Sequence, residues 1–230
     1  MARPRTPTQA LLANLPLFRE LKPPELDRIA AGTTELHVAR GEVIVNRGDA
    51  CTGFHLVVYG QVKLALTSPS GGEKVVEIVG PGFSFGEALM FMGSPYIVMA
   101  QALADSLLLH VSQEVVFGEI ERDPMFARRM LAGMSRRLHS VISDVESYSL
   151  QSGTERVIGY LLHQDERQAQ ANASYAITLP TSKTVVASRL NVTPEHFSRI
   201  LHELAEAGLI SVDGRAITIL DATRLRNYRG

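Results

Sequence analysis

The chain has 230 residues, 45% of them hydrophobic, with 23 Lys and Arg against 24 Asp and Glu and a formal net charge of -1. That length supports one large domain or two small ones with real cores, and the balanced charge excludes wholesale attraction to nucleic acid or membrane, so any basic surface is local. No apolar run could span a bilayer, the N-terminus lacks a secretory pattern, and the single Cys51 excludes a disulfide framework or an all-cysteine cluster, which together indicate a cytoplasmic protein with no membrane partner.

A proline-rich start leads into two short predicted helices, Gln9–Phe18 and Pro24–Thr33, with Pro23 and Pro24 stopping one and opening the other. Between Glu35 and Val111 the texture changes. Short β-branched or aromatic runs, Val43–Val45, Phe54–Tyr59, Val62–Leu66, Val75–Val79, Ile97–Ala102 and Leu107–Val111, are punctuated by glycines, which predicts an antiparallel sandwich or roll. Ser70–Gly71–Gly72 marks a hairpin tip. In the same region Phe83, Phe85, Met90, Phe91, Met92 and Met99 are soft and apolar, and serve either as ordinary core or as the lining of an effector pocket.

Ser112–Arg122 is a short predicted helix, followed by a long one over Pro124–Ser149. In it Ala127, Leu131, Met134, Leu138, Val141, Val145 and Tyr148 recur at alternating spacings of four and three, an unbroken heptad seam. Arg128, Arg129, Arg136, Arg137, Asp144 and Glu146 lie off it, so one stripe asks for a partner. Periodicity alone allows that partner to be a second copy of the helix or the helix's own domain. Ser147–Thr154 loses the period and marks a boundary, after which Glu155–Gln168 is amphipathic and Gln168–Ser174 is a polar loop.

Thr181–Gly208 carries the most specific pattern. Val186, Ala187, Leu190, Val192, Phe197 and Ile200 have the spacing of a helix-turn-helix, with small Ala187 allowing close approach and Asn191 at the turn, where asparagine tolerates the left-handed conformation. Thr193 as N-cap and Pro194 at the first helical position mark the second helix twice. On it Glu195, Ser198 and Arg199 share one face, opposite Phe197 and Ile200. Glutamate can accept from cytosine N4, arginine can fork onto guanine O6 and N7, and serine adapts, so these three are the candidate base readers. Ser182, Lys183, Arg189, Thr193, His202 and Arg215 surround them as candidate backbone contacts. Leu209–Val212 and Ala216–Leu220, joined through Asp213–Gly214, complete a wing. The alternative is a helical pair that packs internally, with Glu195 and Arg199 a solvated pair.

These parts define an α+β chain of three segments: an N-terminal antiparallel β-roll at 1–122, a long dimerisation helix at 123–149 and a C-terminal winged helix-turn-helix at 150–230. Their order resembles the Crp/Fnr family of bacterial transcription regulators over nearly the whole chain. Glu195-x-x-Ser198-Arg199 is similar to the Fnr-branch recognition helix, which implies TTGAT-like half-sites. Glu87–Ala88–Leu89–Met90–Phe91–Met92 with Pro95, and Pro194–Glu195–His196–Phe197–Ser198–Arg199–Ile200, resemble the nitric-oxide-responsive Dnr subgroup, which implies haem as a sensor group. The resemblance implies a non-enzymatic, homodimeric regulator that binds a double-stranded pseudo-palindrome and RNA polymerase. It places an effector pocket around Gly86, Glu87, Met90, Phe91, Met92, Tyr96 and Met99.

The departures from the family narrow the signal. One cysteine cannot hold the iron–sulfur cluster of Fnr. Gly86–Glu87 are present as in cyclic-AMP-binding members, but Tyr96–Ile97 stand where those carry Arg-Ser, and no Lys or Arg occurs between Lys74 and Arg122, so a cyclic phosphate lacks its charged fork. Of the seven histidines, His37, His55 and His110 fall on predicted strands, while His139 and His163 on predicted helices are the candidate haem ligands. Two other readings are a cyclic-nucleotide-responsive regulator and a small-molecule-binding module whose helical tail docks a protein. No nucleophile–base constellation, metal cluster or phosphate loop suggests an enzyme.

Overall fold

The computed structural model describes residues 8–18, 21–68, 72–163 and 174–228. Contacts divide the chain into two units, Met1–His139 and Ser140–Gly230, so the division falls inside the long helix and not at either of its ends.

The first unit begins with α1 (Thr8–Ala13) and α2 (Pro23–Ala31). Helix α1 stops earlier than its periodicity suggests, because Pro16 cannot continue a helix and the chain passes Asn14–Phe18 in tight turns. Strands β1 (Thr33–Val38), β2 (Val43–Val45), β3 (Gly53–Tyr59), β4 (Val62–Thr67), β5 (Glu73–Val79), β6 (Ser84–Phe85), β7 (Met99–Ala102) and β8 (Ser106–Ser112) follow, with α3 (Glu87–Met92) between β6 and β7. They form two antiparallel four-stranded sheets, ordered β1-β8-β3-β6 and β2-β7-β4-β5. The expected roll is present. Strands β4 and β5 pair as the expected hairpin, although residues 69–71 of its tip lie outside the described residues.

Strands β3 and β8 are buried on both faces, which is why they read as continuous apolar runs. Phe54, Leu56, Leu109 and Val111 face the helices and form one core with Leu12, Phe18, Ile29 and Val116. Val57 and Leu108 point the other way, into a second core between the sheets with Val62, Leu64, Phe85 and Ala100. Helix α3 was hidden because it is six residues long, and glycines in the left-handed conformation bound it, Gly86 at φ 99° and Gly93 at φ 61°.

Helix α4 (Gln113–Arg122) starts on Ser112, whose side chain accepts from Val115 N. Helix α5 (Pro124–Leu150) then runs 27 residues. In the second unit α6 (Gly153–His163), β9 (Tyr175–Thr178), α7 (Lys183–Arg189), α8 (Pro194–Glu206), β10 (Ile210–Asp213), β11 (Ala216–Ile219) and α9 (Ala222–Arg226) surround one core. The expected helix end at Gln168 and most of the loop Gln168–Ser174 lie outside the described residues. The wing sheet has a third strand, in the order β10-β11-β9, and β9 escaped notice because it is four residues of mixed polarity after a polar stretch. Its hairpin turn sits one residue later than Asp213–Gly214: Asp213 pairs with Ala216, so Gly214 at φ 57° and Arg215 form the turn.

Candidate nucleic-acid interface and sensor region

Helix α7 begins on Ser182, whose hydroxyl accepts from Val185 N, and α8 on Thr193, whose hydroxyl accepts from His196 N at 3.2 Å. Between them Asn191 has φ 57°. Phe197, Ile200, Leu201 and Leu204 are buried against Val186 and Ala187, which locks α8 to α7 and turns its opposite face outward. On that face Glu195, Ser198 and Arg199 are exposed. Arg199 does not pair with Glu195; its Nε lies 3.9 Å from Glu203, an exposed pair that DNA can displace at little cost. His202 lies 3.3 Å from Glu206.

Lys183 from α7, Ser198 and His202 from α8, and Ser211 from β10 line one groove of the second unit. Ser182, Thr193 and Arg215 are exposed and Arg189 is half-buried. The structure therefore brings together Lys183, Ser198 and His202, and puts Arg215 at the tip of the wing hairpin.

Sequence reading missed Arg156. From α6 it donates to Leu190 O at 2.9 Å and Asn191 O at 3.2 Å, and to Gln151 O at 2.6 Å. It thus satisfies the carbonyls that the helix-turn-helix turn leaves without helical partners. An Arg 35 residues before the turn it serves leaves no local signal.

The seam divides α5 by face. Phe126 and Met130, which are not seam residues, are buried in the helix-packed core of the first unit. Leu131, Leu138, Val141 and Val145 of the seam are 60, 62, 49 and 58% exposed, while Ala127 and Met134 are half-buried. The side chain of Tyr148 lies outside what is described. The helix lies on its own domain through Phe126 and Met130 and leaves Leu131, Leu138, Val141 and Val145 exposed.

In the roll, the residues grouped around Gly86 separate. Met90 and Tyr96 are buried in different cores, Glu87 and Met99 are half-buried, and Phe91 and Met92 are exposed, Phe91 packing its ring 5.8 Å from that of Phe117. Glu87 accepts a hydrogen bond from Ser84. Tyr96, which stands at the Arg of the Arg-Ser pair, is buried, and Ile97 beside it is exposed and apolar. His139 and His163 are exposed. Among the described residues no three His, Cys, Asp or Glu side chains are grouped to hold a metal, and no helix is long and apolar enough to cross a membrane.

A roll of two antiparallel sheets, a long helix with an exposed heptad stripe and a winged helix-turn-helix with polar side chains turned outward are together the parts of a DNA-binding transcription regulator. Residues 35–123 match the cyclic nucleotide-binding domain and residues 155–228 the Crp-like helix-turn-helix domain. The solved structure of DNR from Pseudomonas aeruginosa is 34% identical, with all of both chains covered and a TM-score of 0.51. FixK2 from Bradyrhizobium japonicum is 25% identical over 85% of this chain and 96% of its own, with a TM-score of 0.75. The cyclic AMP receptor protein of Thermus thermophilus is 28% identical over 91% of this chain and 94% of its own. The chain belongs to the Crp/Fnr family of DNA-binding transcription regulators, and its similarity to DNR agrees with the resemblance carried by Glu87–Met92 and Pro194–Ile200.

Proposed function

We propose that the protein acts as a homodimer, closed along the α5 seam, that reads a pseudo-palindrome of TTGAT-like half-sites and responds to a signal received by the roll. The observation that carries this reading is the exposure of Glu195, Ser198 and Arg199 together on the first turns of a doubly marked helix. Glu195 accepts from a cytosine N4, Arg199 forks onto guanine, and Ser198 takes the adjacent edge. Ser182, Lys183, Arg189, Thr193, His202 and Arg215 hold phosphates and fix register. RNA polymerase is the protein partner such a regulator needs at a promoter.

Cyclic AMP suits this roll poorly, since no Lys or Arg occurs between Lys74 and Arg122 to fork onto a phosphate. Haem is not favoured by its two candidate ligands either: His139 and His163 are both exposed.

Fluorescence anisotropy on a TTGAT palindrome, titrated across salt, tests the DNA reading. The expected result is a steep salt dependence and a clear preference over scrambled DNA. Equal affinity for the two sequences overturns it. A Soret band that appears with added haem and shifts with nitric oxide would assign haem as the sensor group; a flat spectrum removes it.

A further inference from the structure

Apart from the DNA reader and the seam, the roll holds a cavity of about 280 Å³. Exposed Thr34, Ala50 and Thr52 stand at its mouth, half-buried His110 forms a wall, and buried His55 and Tyr96 form its floor. The β-sheet register explains why these side chains meet. Thr34 pairs with His110, His110 with His55, and His55 with Phe85, so the four lie in a row on the inner face that Val57 and Leu108 occupy one step further along. Two imidazoles thus stand beside an interior that the fold otherwise fills mainly with apolar groups.

These rings are organised. The imidazole of His55 stacks on Phe85 at 4.9 Å, lies 4.8 Å from that of His110, and meets the Tyr96 hydroxyl through Nδ1 at 3.3 Å. Thr52 Oγ1 is 3.5 Å from Nε2 of His110. Among the described residues no protein group bonds Nε2 of His55. Burial pushes His55 down to about 3 and also lowers His110, so both rings are neutral at pH 7, each with one donor and one acceptor nitrogen. No Lys, Arg, Asp or Glu lines the cavity, so a charged guest would lose its hydration without a counter-charge.

We propose that this cavity is a binding site for a small uncharged molecule bearing both a hydrogen-bond donor and an acceptor, held by His55, Tyr96 and His110. At the share of liquid volume that a water occupies, the space suits about nine non-hydrogen atoms. Apart from Tyr96 it uses none of the residues expected around Gly86, and it does not depend on the DNA reading. A metal ion is disfavoured because, among the described residues, no third ligating side chain joins the two imidazoles. Occupancy would be felt beyond the cavity. The Tyr96 hydroxyl lies 3.0 Å from where a Cβ on Gly86 would stand, Gly86 opens α3, and Met90 of α3 shares a core with Phe126 and Met130 of α5.

The test is histidine-detected NMR on the full-length protein at neutral pH, titrated with phenol and with pyrazole as uncharged probes, and with acetate and Zn²⁺ as charged ones. The expected result is a saturable shift of the His55 and His110 ring signals with an uncharged probe, weakened about tenfold or more in Ala50→Phe, which plugs the mouth from an exposed position. Thr52→Val, also exposed, should weaken it less. Shifts that never saturate, equal saturation in Ala50→Phe, equal affinity for acetate, or saturation by Zn²⁺ alone each overturn the proposal. No DNA enters the measurement, so its failure leaves the operator reading untouched.

Discussion

Asn191 stands at φ 57°, where no other non-glycine residue among those described is found. The left-handed conformation costs an ordinary L-residue about 1–2 kcal/mol, and asparagine recovers part of that by local hydrogen bonding. Asn191→Ala should therefore lower stability by about 1 kcal/mol in urea unfolding, and Asn191→Gly by clearly less. The Arg199 side chain is 66% exposed and, among the described residues, pairs with an exposed Glu203, so its removal should spare the fold. Arg199→Ala should weaken specific DNA binding by about 1–3 kcal/mol and relax choice at one base pair. Lys183→Ala should instead weaken all sequences alike and reduce the salt slope by about one. Anisotropy on single-base operator variants separates the two.

Among the elements, α5 shows how one helix serves two surfaces. Phe126 and Met130 anchor its first turns in the first unit, while Leu131, Leu138, Val141 and Val145 leave a heptad stripe exposed. Leu138→Glu should thus abolish dimerisation and operator binding together without unfolding the first unit, as read by sizing and circular dichroism; a variant that stays dimeric shows that the seam lies elsewhere. Helices α2 and α4 are joined by a buried carboxylate. Glu119 accepts from Arg28 Nε at 2.5 Å and Nη2 at 2.8 Å, and from Arg122 Nη1 at 3.1 Å. The Arg28 hydrogen bonds hold the Glu119 carboxyl below its ordinary value of 4.5 despite burial. A depressed folded value means that its contribution is complete above that ordinary value and is lost as pH falls through the folded one. Glu119→Gln should flatten the acid limb of a plot of urea midpoint against pH, and an unchanged limb counts against the ion pair.

At the scale of the whole molecule, a two-fold dimer places its two recognition helices about one turn of DNA apart, roughly 34 Å. Inserting about five base pairs between the half-sites turns one of them to the far face of the duplex, and should reduce affinity to that of a single half-site. Retained affinity would mean that each chain reads DNA alone.

The antiparallel roll, the long helix, the cap at Thr193 and the common face of Glu195, Ser198 and Arg199 were legible in the amino-acid order. Period and capping are local properties, written within a few residues of where they act. Helix α3 and strand β9 were not, because elements of four or six residues carry too little period and exist through glycine conformation or a neighbouring strand. Nor were the reach of Arg156 to Leu190 and Asn191, or the meeting of Thr34, His110, His55 and Tyr96. Strand pairing joins residues far apart in the chain, and no local pattern records which neighbours a sheet will bring together. Sequence alone thus determined that this chain is a roll, a long heptad-patterned helix and a winged helix-turn-helix, whereas the choice of face on α5 and the polar cavity inside the roll were decided by tertiary packing.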